Sequence, residues 1–246
     1  MRTSVILAAF ASTLALNTAL AADMDDNLVI EAPEVLVSGD RTGPYVAARL
    51  AAAFGDDTQF DLDIVDTFVI NEYESVSVNG ALAIGYRLSD MFAAELEIGT
   101  GEQDIEAHTL TALGARLDGE NAFGTTKLTY GLINITGEYE TGMAVRPYLS
   151  AGIGLASAEF ENHGVTLAGP VGPLPAGDVT VMNDKDRGIA YQIGAGIVID
   201  ITDKIGFEAG YRYFSVDDIE LTAVDNVVSD IKINQHQALF GVRYSF

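Results

Sequence analysis

Seven charged residues stand out because their neighbours give them a direction. Arg49, Arg87, Arg212 and Arg243, with Glu95, Glu97 and Glu208, fall on the polar or small-residue face of segments whose other face is apolar. Glu138 joins them on one of the two phases its segment allows. If the segments close around these side chains, two kinds of chemistry are open. Opposite charges confined together pair with one another, because an isolated buried charge is costly. A wider enclosure would instead make them the lining of a gated polar conduit. The width of the enclosure decides, and that is a property of the elements that carry the charges.

The other reactive residue types form no recognisable constellation. His108 and His163 fall in stretches that read as loops, and His236 begins the last alternating segment between Gln235 and Gln237 with no serine beside it. Asp61, Asp63 and Asp66 lack the further acid and the glycine of a calcium loop. No catalytic, cofactor or metal site is therefore expected, and the chain does not read as an enzyme. The absence of cysteine excludes a disulfide framework, thiolate metal sites and a lipid-bearing cysteine at the cleavage point. With 36 acidic against 13 basic residues the formal net charge is −23, the wrong sign for nucleic acid. The apolar content of 48% and the periodicity argue against disorder for most of the chain.

The amino-terminal residues read as an export address. Arg2 supplies a positive start, Val5–Leu16 is apolar, and Ala19, Ala21 and Ala22 form a small-residue cleavage site. The apolar run is shorter than the roughly 20 residues of a spanning helix. Residues 1–22 are expected to be a signal peptide, 23–42 an acidic periplasmic segment and 43–246 the folded domain. Removing Arg2 takes the charge from −23 to −24.

The elements that position the charges are alternating strands. In Ile189–Ile201 every odd position is apolar and the even positions are mostly small or polar. Ile205, Phe207, Ala209, Tyr211 and Tyr213 share the next apolar face, and Ala238, Phe240, Val242, Tyr244 and Phe246 the last. Similar segments lie near residues 45–54, 75–88, 91–100, 127–140 and 145–158, making eight in all. The segment at 127–140 has ambiguous phase: Tyr130 and Leu132 sit on one face, Ile133 and Ile135 on the other, and a bulge would reconcile them. Short links such as Ser89-Asp90 and Thr202-Asp203 alternate with long connections near 55–72, 101–126, 159–187 and 216–232. That sorting marks a membrane barrel with short periplasmic turns and long outer loops. The expected fold is all-β: a transmembrane antiparallel up-and-down barrel of eight strands. Its interior is just wide enough for side chains, which favours paired charges over a conduit. Apolar-face aromatics (Tyr86, Phe92, Tyr139, Phe207, Tyr244 and Phe246 at one end, Phe54, Tyr191 and Tyr213 at the other) fit interface girdles.

The sequence resembles the OmpA-like outer-membrane barrel family, in its opacity-protein and porin-like branch. The resemblance rests on Gly85-Tyr86-Arg87, Ala94-Glu95-Leu96-Glu97, Arg146–Gly154, Gly194-Ala195-Gly196, Gly210–Phe214 and the closing Gly241–Phe246. It implies that Phe240, Tyr244 and Phe246 form a label read by the outer-membrane assembly machinery. It does not extend to the peptidoglycan-binding domain that follows the barrel in OmpA itself, so that activity is not expected. The expected partners are outer-membrane lipid and lipopolysaccharide, the assembly machinery, and a host or surface ligand that the sequence does not name. Three roles follow: a structural or surface protein, a small porin-like diffusion channel, and an adhesin acting through acidic outer loops.

Overall fold

A computed structural model describes residues 42–55, 58–62, 67–73, 76–112, 115–119, 122–167, 176–222 and 228–246. The expected signal segment, residues 23–41 of the acidic segment and the Gly-Pro-rich stretch 169–175 lie outside them. The chain divides into two units, Met1–Leu36 and Val37–Phe246, and the described residues all fall in the second.

Eleven strands are present among the described residues: β1 (Gly43–Gly55), β2 (Thr58–Leu62), β3 (Thr67–Tyr73), β4 (Ser77–Arg87), β5 (Phe92–Ala112), β6 (Ala115–Gly119), β7 (Ala122–Glu138), β8 (Val145–Leu167), β9 (Gly177–Asp200), β10 (Ile205–Thr222) and β11 (Val228–Ser245). Eight of them close a ring. Strand β1 pairs antiparallel with both β4 and β11, and β4–β5–β7–β8–β9–β10–β11 completes the circuit. Closure leaves no sheet edge within the ring, which is the condition for strands to cross a bilayer. The outer part of β5 pairs instead with β3 and β6, and β2 pairs with β3.

Much of what reads as long loops is strand. Strands β5, β8 and β9 have 21, 23 and 24 residues, about twice the 9–11 that cross a bilayer. The excess lies beyond the apolar stretch of each strand: β8 and β9 stay paired out to Leu167↔Gly177, with register shifts near His163. His163 is therefore a buried residue of β8 and His108 lies in β5 opposite Gly119, so neither is in a loop. Alternation weakens in these extensions because both faces meet water or protein there, so the sequence pattern fades while the pairing continues.

The short connections share one local solution. Ser89 Oγ accepts from the amides of Met91 and Phe92 at 3.3 and 3.1 Å, and Thr202 Oγ from Lys204 and Ile205 at 3.2 and 3.0 Å. Thr141 Oγ accepts from Met143 at 3.3 Å and donates to the Val145 carbonyl at 2.6 Å. A hydroxyl at the start of each turn satisfies amides that the ladder leaves free. Both the start of β1 and the end of β11 lie at this end, where the Phe246 amide donates to the Pro44 carbonyl at 3.2 Å.

The outward face is apolar around the ring. Leu50, Ile84, Ile98, Ile133, Leu149, Ile193 and Phe240 are each 60–69% exposed. Such a band would be costly in water and is the surface that lipid covers. The ambiguous strand is regular: Tyr130, Leu132 and Asn134 point in, Ile133 and Ile135 point out, and β7 shifts register only at Phe123/Thr125. No bulge separates the two apolar sets, because Tyr130 and Leu132 line the lumen beside Glu97 while Ile133 and Ile135 face outward.

Candidate functional site

The lumen is filled in two layers. Towards the short turns, five arginines (49, 87, 146, 212 and 243) and five carboxylates (Glu95, Glu97, Glu138, Asp200 and Glu208) form one connected network among the described residues. Five against five leaves the network formally neutral. Arg49 lies at its centre, 2.5 Å from Glu95, 2.7 Å from Glu97 and 2.7 Å from Glu208. Glu97 uses one oxygen for Arg49 and the other for Arg212, at 2.6 Å. Glu208 passes the chain on to Arg243 at 2.6 Å. Arg243 also pairs with Glu138, whose other oxygen takes Arg87 at 2.9 Å and Arg146 at 3.0 Å. Arg146 also pairs with Asp200.

Strand phase explains why these residues meet. Residues of one parity on each strand point inward, and antiparallel register sets their height. Arg49 stands opposite Gly241, and Gly241 opposite Glu208, so a glycine leaves the room across which the ion pair forms. Tyr45 and Tyr130 likewise lie over Gly85 and Gly99, where a Cβ would overlap the phenol rings. Tyr45 donates to Glu95 at 3.1 Å beneath the Arg243 guanidinium, which lies 4.5 Å from its ring centre. Tyr130 donates to Glu97 at 3.2 Å and accepts from Arg212 at 2.9 Å.

Amides carry the network towards the outer end. Arg212 donates to Gln237 and to Gln192, both at 2.8 Å. Gln192 donates to Asn134 at 2.7 Å, and Gln237 to Gln235 at 2.8 Å. One cavity among Arg49, Glu97, Asn134, Gln192 and Arg212 has a volume of about 20 Å³, room for about one water. Above them the lumen turns apolar. Leu128, Leu132, Phe160, Phe214, Val216, Ile219, Leu221 and Ile231 are buried together, with the Tyr130 ring 4.9 Å from that of Phe214.

All seven charges singled out from the sequence are in the first layer, and so is Glu138. Arg146 and Asp200 were missed, although each shares the inward phase of its strand. Tyr45, Tyr130 and Gln192 were missed because side chains of middling polarity do not declare a face. The apolar layer had no such signal, since inward and outward apolar residues look alike in sequence. His236 lies outside the lumen, with Nδ1 2.5 Å from the Tyr211 hydroxyl. Phe240, Tyr244 and Phe246 are exposed on the outer wall, where the rings of Tyr244 and Phe246 meet edge to face at 5.3 Å.

Over residues 7–246 the sequence matches the family model described as the outer membrane protein beta-barrel domain. The outer membrane protein PagN of Salmonella typhimurium is 27% identical over 183 residues, which cover 68% of this chain and 72% of that protein. An uncharacterized protein of Brucella abortus is 26% identical over 180 residues, 61% of this chain, and the match spans 56% of its length. Among solved structures, the outer membrane protein OprG from Pseudomonas aeruginosa is similar in fold. The TM-score is 0.50 at 16% identity, over 85% of this chain and 98% of that one.

Proposed function

Because the chain belongs to the outer membrane protein beta-barrel domain family, we propose that it serves the bacterial outer membrane as an occluded, non-catalytic barrel with a structural or surface role. The observation that carries this reading is the two-layer filling of the lumen. A neutral ion-pair network closes the periplasmic part, and packed side chains close the outer part. An ion would have to break the first and dehydrate to pass the second. The charges act as a structural plug and not as a selectivity filter.

The surface half of the proposal rests on the strand extensions. Paired strands beyond the apolar band hold β8 and β9 well clear of the membrane, a rigid mount for recognition at the cell surface. The adhesin role fits this feature better than the diffusion-channel role does. Export would remove residues 1–22 at the Ala19, Ala21 and Ala22 site, and the Phe240, Tyr244 and Phe246 face of β11 would be the label for the assembly machinery. The test is permeation. Vesicles carrying the refolded chain should swell in small sugars no faster than empty vesicles. Rapid swelling at equal protein insertion would favour the channel.

A further inference from the structure

Two neighbouring strands leave the ring pairing before they end. Strand β10 pairs with β9 only as far as Asp217↔Ile189, although β9 continues to Gly177 paired with β8. Strand β11 pairs with β1 as far as Gln235↔Gly55. Strand β2, the next on that side, joins β3 and has no ladder to β11 among the described residues. Beyond those points β10 and β11 pair only with each other, from Ile219↔Ile231 to Thr222↔Val228. The ring therefore carries a two-stranded finger with an open edge on each side.

The finger begins at a bend. The β10–β11 register shifts between Val216 and Ile219, and Asp218 there has a φ of 61°, in the left-handed region. A bulge of this kind bends its strand. Gly188 of β9 lies against it, where a Cβ would overlap the Asp217 carbonyl and crowd Val216 and Ile219. On the outward face Lys232 pins the ring side of the bend, 3.0 Å from both Asp217 and the Tyr191 hydroxyl.

Past the bend, two carboxylates of β9 replace the ladder. Asp186 accepts from the Glu220 amide at 2.8 Å, and Asp184 from the Thr222 amide at 2.7 Å. A ladder would hold both the N–H and the C=O groups of that edge. Here two N–H groups are held, by side chains that can rotate away. The underside of the finger is apolar: Ile219, Leu221 and Ile231 are buried with Phe160 in the outer layer of the lumen.

We propose that the ends of β10 and β11 form a lid over the apolar layer, hinged at the Asp217–Asp218 bulge and latched to β9 by Asp184 and Asp186. The lid swings as one body, because the bonds within the finger survive the motion. Only the two latches and the apolar contacts break. Lifting it opens the apolar barrier to solvent while the ionic layer below stays shut. The barrel gains an apolar recess beside Phe160 and Phe214 without becoming a pore.

The test is amide exchange of the refolded chain in detergent, read residue by residue by NMR. Strand alternation turns the amides of Ile219 and Leu221 towards β11 and those of Glu220 and Thr222 towards β9. Glu220 and Thr222 should exchange roughly tenfold or more faster than Ile219 and Leu221. They should also outpace the β8–β9 ladder at the same height, where Ala158 and Phe160 face Asp186 and Asp184. Asp184→Ala with Asp186→Ala should speed Glu220 and Thr222 by a further factor of roughly ten and leave that ladder unchanged. Asparagine at both positions keeps an acceptor oxygen and should restore most of the protection. Asp178→Ala, whose carboxylate accepts from Thr166 instead, should change nothing in the finger. Heat-shifted gel mobility checks that every variant is folded. Exchange at Glu220 and Thr222 as slow as in the β8–β9 ladder, or unchanged in the folded double alanine variant, overturns the lid. Equal acceleration of Ile219 and Leu221 overturns it too, because the finger then frays and does not swing.

Discussion

At the residue scale, Glu97 and Arg212 carry the sharpest expectation. Each is almost fully buried and each has its charge matched at 2.6 Å. Removing one member leaves the other unpaired in a confined space, a loss of about 3–5 kcal/mol when burial is complete. Arg212→Ala and Glu97→Ala should each lower the denaturant midpoint of the folded barrel, followed by heat-shifted gel mobility. The double variant should cost less than the sum, because the partner is no longer stranded. Strict additivity would mean that the pair is not coupled. These charges were legible in the sequence because a charge on the small-residue face of an alternating strand has one sensible direction. Arg146 carries the same signal, two positions before Tyr148 and four before Ser150 in the inward phase. Tyr45 and Tyr130 carry less: a tyrosine suits a membrane girdle as well as a lumen, and only the facing Gly85 and Gly99 admit them inward.

At the scale of the element, alternation located every strand of the ring but not its length. Strand β9 was legible from Ile189 onward, where lipid demands an apolar residue at every odd position. It begins at Gly177, where nothing imposes that demand. In β7 the phase is ambiguous because Leu128, Tyr130 and Leu132 face the lumen while Ile133 and Ile135 face outward. Two apolar faces on one strand erase the period. The terminal strand β11 has the clearest phase and closes the ring on β1, from Tyr45↔Ser245 to Gly55↔Gln235. Phe246 extends beyond that ladder, with its ring against Tyr244. Deleting Phe246 should leave the inner network intact but reduce the amount of heat-modifiable, membrane-inserted protein in cells. Unchanged insertion would show that this residue is not part of an assembly label.

At the scale of the whole molecule, the barrel divides its functions along its axis. The short-turn end is fastened by ion pairs, the middle is lined with amides, and the outer end is packed with apolar side chains. Breaking the ionic layer alone therefore leaves a second barrier, so loss of stability and gain of conductance should be separable. A plug of charges and a narrow interior are legible in the sequence, and the resemblance to outer-membrane barrels agrees with the family match over residues 7–246. The apolar layer was not foreseen, yet it bears most directly on whether the protein conducts. The decisive measurement is a planar-bilayer current record of the refolded mature chain, compared with Arg212→Ala. An occluded barrel should give no steady current in the wild type, and at most brief, unselective flickers in the variant. Large, stable, ion-selective channels in the wild type, with selectivity changed by Arg212→Ala, would contradict it.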